Sequence, residues 1–229
     1  MNLQGRGGTG GSNSNIEYLV TGSSDQQTRV WDVASGTLLH AMAGPASAAQ
    51  VAVSPDNSLV AVLSRGVAAA RIYDIASGTQ VGIVSPPGEV TSLAFSPNGA
   101  YLVTTGRRNG FVWDTRSWTL LNTLTGHSAA ITDVSFAPDG RVITSSIDSS
   151  ARVWDPATGD ELFTMIGQHE QKVTAVAASP DDRTIVTASA DATARLWFPP
   201  LGSVPVVLAG HTDSVTGAAF DRTSSQLLT

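Results

Sequence analysis

Hydrophobic and polar positions alternate in short runs along this chain, most plainly over residues 131–166. ITDVSF reads as a half-buried strand, APDG supplies a Pro and then an Asp-Gly turn, RVITSS is a second strand, and IDSS turns into ARVW, the third. DPATGD turns again and ELFTMI makes a fourth strand. No segment follows the 3.6-residue spacing of a helix. The pattern predicts an all-β protein whose unit is four short strands joined by tight turns.

That unit recurs. Trp31-Asp32, Tyr73-Asp74, Trp113-Asp114, Trp154-Asp155 and Trp197-Phe198 are spaced by 42, 40, 41 and 43 residues. Pro55, Pro97, Pro138 and Pro180, in SPDN, SPNG, APDG and SPDD, keep the same beat, as do His127, His169 and His211. Three independent markers with one period of 40 to 43 residues identify a repeat architecture.

With Gly126-His127, Gly210-His211 and the variant Gly167-Gln168-His169 in register with the Trp-Asp pairs, residues 16–229 resemble the WD-repeat β-propellers. The resemblance implies four-stranded antiparallel blades around a channel, the first strand of each innermost. About five periods are present, with partial units at both ends. The chain enters at a second strand, Ile16 to Thr21, and leaves at another, Gln226 to Thr229. A five-blade ring would close with Val215 to Phe220 beside Ile16 to Thr21. The favoured reading is a piece of a larger, seven-bladed ring, whose bare edges would promote self-association. Residues 1–15 read as a flexible Gly/Ser/Asn-rich leader.

Composition narrows the function. Ser and Thr total 50, while charged residues are 14% of the chain, which suits strands rather than surface helices. The absence of Cys removes disulfides, thiolate metal sites and cysteine nucleophiles, and a cytoplasmic location is expected. Net charge is −6, and the one adjacent basic pair is Arg107-Arg108, so nucleic acid is not an expected partner. No apolar run approaches the roughly 18 residues of a membrane span.

His127, Thr144, Asp148 and Trp154 hold the ingredients of nucleophilic catalysis. The same offsets return in His169, Thr187, Asp191 and Trp197, and in Thr21, Asp25 and Trp31 without a histidine, while His211 opens a further copy. An active site is built once, whereas every blade must be held together. The resemblance implies a structural relay in which Trp N–H meets Thr hydroxyl, then His, then Asp. Residues 47–84 depart from it, with Gly44-Pro45 for Gly-His, Tyr73 for Trp and Val67 for Asp; the next unit lacks both His and Asp. These two are predicted to open first.

Outside the repeat register the chemistry is sparse. Asp133 is the single ionisable residue on the predicted innermost strands, and His40 has no acidic neighbour in its run. No catalytic, cofactor or metal residue is assigned, and a non-catalytic scaffold for a protein or peptide partner is expected. The candidate binding residues are Arg107, Arg108 and Asn109 in an irregular turn, with Glu170, Lys172 and Asp213 after the Gly-His positions. Trp118 reads as a capping or anchoring aromatic on the opposite face. The alternative is a regulatory propeller of a larger bacterial signalling NTPase or kinase, drawn from the Arg-rich, Lys-poor composition. A channel enzyme using Asp133 ranks last.

Overall fold

The computed structural model describes residues 2–6, 18–44, 46, 48–64, 66–198 and 204–229. Among these the structure is all-β with no helix. The first sheet comprises β1 (Asn2–Arg6), β2 (Tyr18–Gly22), β3 (Gln27–Asp32) and β4 (Leu38–Ala43) in that order. The second holds β5 (Ala48–Val53), β6 (Leu59–Ser64), β7 (Ala70–Asp74) and β8 (Gln80–Val84). The third holds β9 (Ser92–Phe95), β10 (Tyr101–Gly106), β11 (Asn109–Asp114) and β12 (Leu120–Thr125). The fourth runs β13 (Ile131–Phe136), β14 (Val142–Ser146), β15 (Ala151–Trp154), β16 (Glu161–Met165), and the fifth β17 (Val173–Ala178), β18 (Ile185–Ser189), β19 (Thr193–Trp197), β20 (Val206–Ala209). A two-stranded ladder, β21 (Ala219–Phe220) with β22 (Leu227–Leu228), follows.

Three expectations at the chain's ends change. Residues 2–6 of the predicted leader form β1, paired with β2 in register Asn2↔Gly22 and Leu3↔Thr21. The inner edge of β2 offers unpaired backbone groups, and β1 satisfies them, taking the place that the five-blade reading gave to Val215 to Phe220. That predicted strand is extended only over Ala219–Phe220. The rest of the leader, residues 1 and 7–15, lies outside the described residues, as do Ile16 and Pro45.

The chain packs as two compact units, Met1–Thr104 with Trp113–Thr119, and Thr105–Val112 with Leu120–Thr229. In the first, β1 and β2 lie against β5, and β5 and β6 against β9, around Val20, Val30, Val60, Val62, Tyr73 and Ile75. In the second, β13 and β14 lie against β17 around Ile143, Val153, Met165, Val176, Ile185 and Trp197. Second strands are buried on both faces and read as continuous runs, whereas the outer strands β4, β8, β12 and β16 bury one residue each, near their end.

Innermost strands are stitched within each unit. The Gln50 amide bonds both the N–H and the C=O of Leu93, at 3.0 and 3.3 Å. Asp133 stands at the same place in β13 and accepts the Val176 N–H at 3.3 Å. Thr132 donates to the Val173 carbonyl at 2.5 Å, and Thr174 to that of Val215. Asp133 is thus a backbone acceptor joining two strands.

Turn chemistry explains the remaining markers. In the first hairpin of a unit, Ser54 donates to Asp56 at 2.6 Å and accepts the Leu59 N–H at 2.9 Å; Ser96 with Asn98, and Ser179 with Asp181, repeat this. The Asp of each Trp-Asp pair caps the third turn: Asp32, Asp74 and Asp114 accept from Ser35, Ser77 and Ser117. At the tip of that turn the chain takes a positive φ, at Gly36, Gly78, Trp118 and Gly159.

Those tips meet the outer strand of the preceding sheet with reciprocal sizes. A Cβ on Gly78 would stand 3.0 Å from the His40 ring, whose Nε2 bonds the Ala76 carbonyl at 2.9 Å. A Cβ on Gly159 would stand 3.2 Å from Asn122, whose amide donates to the Pro156 and Ala157 carbonyls. At Trp118 the sizes are exchanged: Gly82 lies beneath the indole, and a Cβ there would come within 2.5 Å of Nε1.

Candidate functional site

The fourth sheet contains a complete relay. Trp154 Nε1 donates to Thr144 Oγ1 at 2.9 Å, Thr144 Oγ1 lies 2.8 Å from His127 Nε2, and His127 Nδ1 lies 2.8 Å from Asp148 Oδ2. With Nδ1 protonated, His127 donates to Asp148 and accepts the Thr144 hydroxyl, so every group is satisfied. The fifth sheet repeats this with Trp197, Thr187, His169 and Asp191 at 2.9, 2.7 and 2.8 Å.

These four-residue sets have triad geometry without a usable nucleophile. Thr144 is 0% exposed, its oxygen is occupied by the indole N–H, and His127 is also buried. Burial pushes both histidines below their ordinary pKa, against the opposing pull of Asp148 and Asp191, and so keeps them neutral. Burial alone would raise the two carboxyls. Bonds from Ser150 and His127 hold Asp148 below the usual range, and bonds from Thr193, His169 and the Glu170 N–H hold Asp191 at about 2.

The carboxylates also organise the loops above them. Asp148 Oδ2 accepts the Ser128 N–H at 2.9 Å, while its Oδ1 accepts the N–H and hydroxyl of Ser150 at 3.0 and 2.6 Å. Asp191 does the same for Glu170 N–H and for Thr193. A side chain at Gly126 would press on Arg152 Nη1 at 2.7 Å and on the Trp154 ring at 3.0 Å, so glycine leaves room for both.

Other predicted members are placed differently. Trp31 donates to Thr21 at 2.9 Å, but Asp25 is half exposed, pairs with Arg29 at 2.7 Å and takes no part in a relay. Among the described residues no histidine of that sheet bonds Asp25, His40 being turned to the Ala76 carbonyl, and the Arg29 guanidinium lowers the Asp25 pKa to about 2. His211 Nε2 lies 2.8 Å from Thr229 Oγ1, the first link of a further copy, and is exposed. Sequence reasoning missed Trp113, which donates to Thr104 at 2.9 Å, and the bracing hydroxyls of Ser150 and Thr193. The Asp-x-Ser/Thr spacing was their readable signal.

All six candidate binding residues fall in the second unit, on its loop edge, where second strands turn into third and outer strands lead to the next sheet. Arg107, Arg108, Glu170, Lys172 and Asp213 are exposed, and Asn109 is half-buried at the start of β11. Their backbone is held firmly: Arg107 C=O accepts Ile131 N–H at 2.5 Å, and Lys172 C=O accepts Ala190 N–H at 3.0 Å.

The WD domain, G-beta repeat family matches residues 78–114, 118–155 and 159–197, a stretch covering more than half the chain from first to last. The chain belongs to the WD-repeat family. Each matched WD repeat begins in the turn before an outer strand and ends at the Trp of the next sheet or the Asp that follows it, so one repeat spans parts of two sheets. The relay His, Thr, Asp and Trp of the fourth and fifth sheets therefore fall within single WD repeats. No curated protein matches the chain. WD repeats in general mediate protein–protein interaction, and WD-repeat domains are typically non-catalytic.

Proposed function

We propose that this protein is a non-catalytic scaffold that binds a protein or peptide partner on the loop edge of its second unit. One observation carries this reading: the edge combines exposed, chemically varied side chains with a backbone fixed by buried carboxylates. Asp148 and Asp191 each tie a loop residue, Ser128 and Glu170, to the sheet beneath. A surface ordered before binding loses less entropy when a partner docks.

Arg107, Arg108, Asn109, Glu170, Lys172 and Asp213 would contact the partner, and no cofactor is required. Hydrogen–deuterium exchange of the full chain with and without an isolated partner tests the site. Protection is expected in residues 106–109, 127–131 and 168–172; protection confined to the opposite turns would reject it. A cytoplasmic setting accords with the cysteine-free chain.

A further inference from the structure

We infer that the partner presents an acidic segment carrying an apolar residue, read by Arg107, Arg108 and Ile147; this rests on the loop edge being the binding surface. Among the arginines of the second unit, Arg141 and Arg152 are paired with carboxylates, Asp139 and Asp182 for the first and Glu161 for the second, Arg195 faces His169, and Arg183 and Arg222 stand exposed on other turns. Arg107 and Arg108 are exposed, and their guanidinium groups have no hydrogen-bond or ion-pair partner among the described residues. Both sit in the turn between β10 and β11, where the fourth and fifth sheets carry Asp148 and Asp191 instead.

The neighbouring carboxylate does not neutralise them. Asp148 is turned inward, 8% exposed, and committed to His127, Ser128 and Ser150. Its neighbour Ile147 is 51% exposed. Arg107 and Ile147 are fixed to consecutive residues where a loop enters β13: Ile131 N–H donates to Arg107 C=O at 2.5 Å, and Ile147 N–H donates to Ala130 C=O at 2.9 Å. Ser146 Oγ adds a bond to Ala130 C=O at 3.0 Å. Two unpaired guanidiniums and a bare aliphatic side chain, carried on two turns bonded to the same segment at Ala130 and Ile131, fit carboxylates flanking an apolar residue. Guanidinium forks engage carboxylates in pairs of parallel bonds, an advantage a lone ammonium lacks.

Arg107 also allows a clean test, because its φ of +49° favours glycine. Arg107→Gly removes the charge while relaxing the backbone, so the variant should fold at least as well as the parent. Linear peptides displayed on phage are selected against the immobilised full chain, and the enriched sequences are synthesised and titrated. We expect peptides with two or more Asp or Glu around a Leu, Ile or Val. Their affinity should fall about tenfold between about 50 mM and about 300 mM salt, and at least about tenfold in the Arg107→Gly/Arg108→Ser variant. The unfolding midpoint of that variant should not fall.

Enrichment of neutral or basic peptides, or of acidic ones that bind the variant equally well, overturns the acidic partner and leaves the binding surface standing. Failure to enrich any peptide overturns both. A single-stranded oligonucleotide that binds more tightly than the peptides, through the same two arginines, also overturns the inference.

Discussion

The fourth and fifth sheets and the second sheet meet the same burial problem with opposite chemistry. Thr144 and Thr187 sit where the second sheet has Val62, and Trp154 and Trp197 where it has Tyr73. Val62 and Tyr73 are as buried as their counterparts, at 4% and 6% exposed. Thr acceptor and indole donor have been exchanged together, so neither a Thr hydroxyl nor an indole N–H is left without its counterpart at these two positions. Replacing both partners of a buried bond is nearly neutral, whereas replacing one costs the desolvation of the other. The first and third sheets stand between, keeping Trp31–Thr21 and Trp113–Thr104 without the histidine. The Trp–Thr bond thus survives alone, while the buried His–Asp pairs occur only with it, since a histidine without the Thr would bury an unanswered Nε2.

The largest break in this comparison is expected from Asp148→Ala. It strands His127 Nδ1–H, the Ser128 and Ser150 N–H groups and the Ser150 hydroxyl together, and should lower stability by about 2 to 4 kcal/mol in denaturant titration. Next come two reciprocal substitutions. Thr144→Val in the relay sheet and Val62→Thr in the apolar sheet should each destabilise, by about 1 to 3 kcal/mol, the first by orphaning Trp154 and His127 and the second by burying a hydroxyl among hydrocarbons. A stabilising result from either would show that the two solutions are not self-consistent.

The second sheet depends on shape as well. Gly82→Ala places a methyl group within 2.5 Å of the Trp118 indole and should cost about 1 to 3 kcal/mol. Adding Trp118→Gly should recover part of that loss, a coupling that a double-mutant cycle reads directly.

The smallest effect sharpens the contrast through pH. His127 and His169 have folded pKa values below the ordinary 6.5, so their contribution is complete above pH 6.5 and is lost as pH falls through the lowered values. Asp191 follows, its contribution present above 3.8 and lost as pH falls toward about 2. Denaturant midpoints measured down the pH scale should decline below 6.5 in the parent chain and more shallowly when His127 and Asp148 are both replaced by apolar residues.

Much of this was legible in the sequence because turns and relay members recur at one period. The strands at residues 131–166 were placed almost to the residue, and two relays were assigned member by member. What escaped has physical reasons. The strand β1 follows from an open edge on β2 rather than from any pattern in residues 2–6. Asp25 matched its offset, yet a carboxylate turns inward only where a histidine waits for it. The exchange of Gly82 and Trp118 relates residues 36 positions apart in adjoining sheets, and no local rule links them. His40, which the sequence reads only as a histidine with no acidic neighbour, takes its role from Ala76 across the same kind of junction.

The His127 imidazole stands edge-on to the Trp154 indole, with ring centroids 6.2 Å apart and planes at 61°. An imidazolium is a strong quencher of indole excited states, whereas a neutral ring is a weak one. The protein therefore carries its own optical titration of the fourth sheet: as acid reaches His127, Trp154 emission should dim before the strands separate. A photon count then follows a proton arriving in the core, with no label attached.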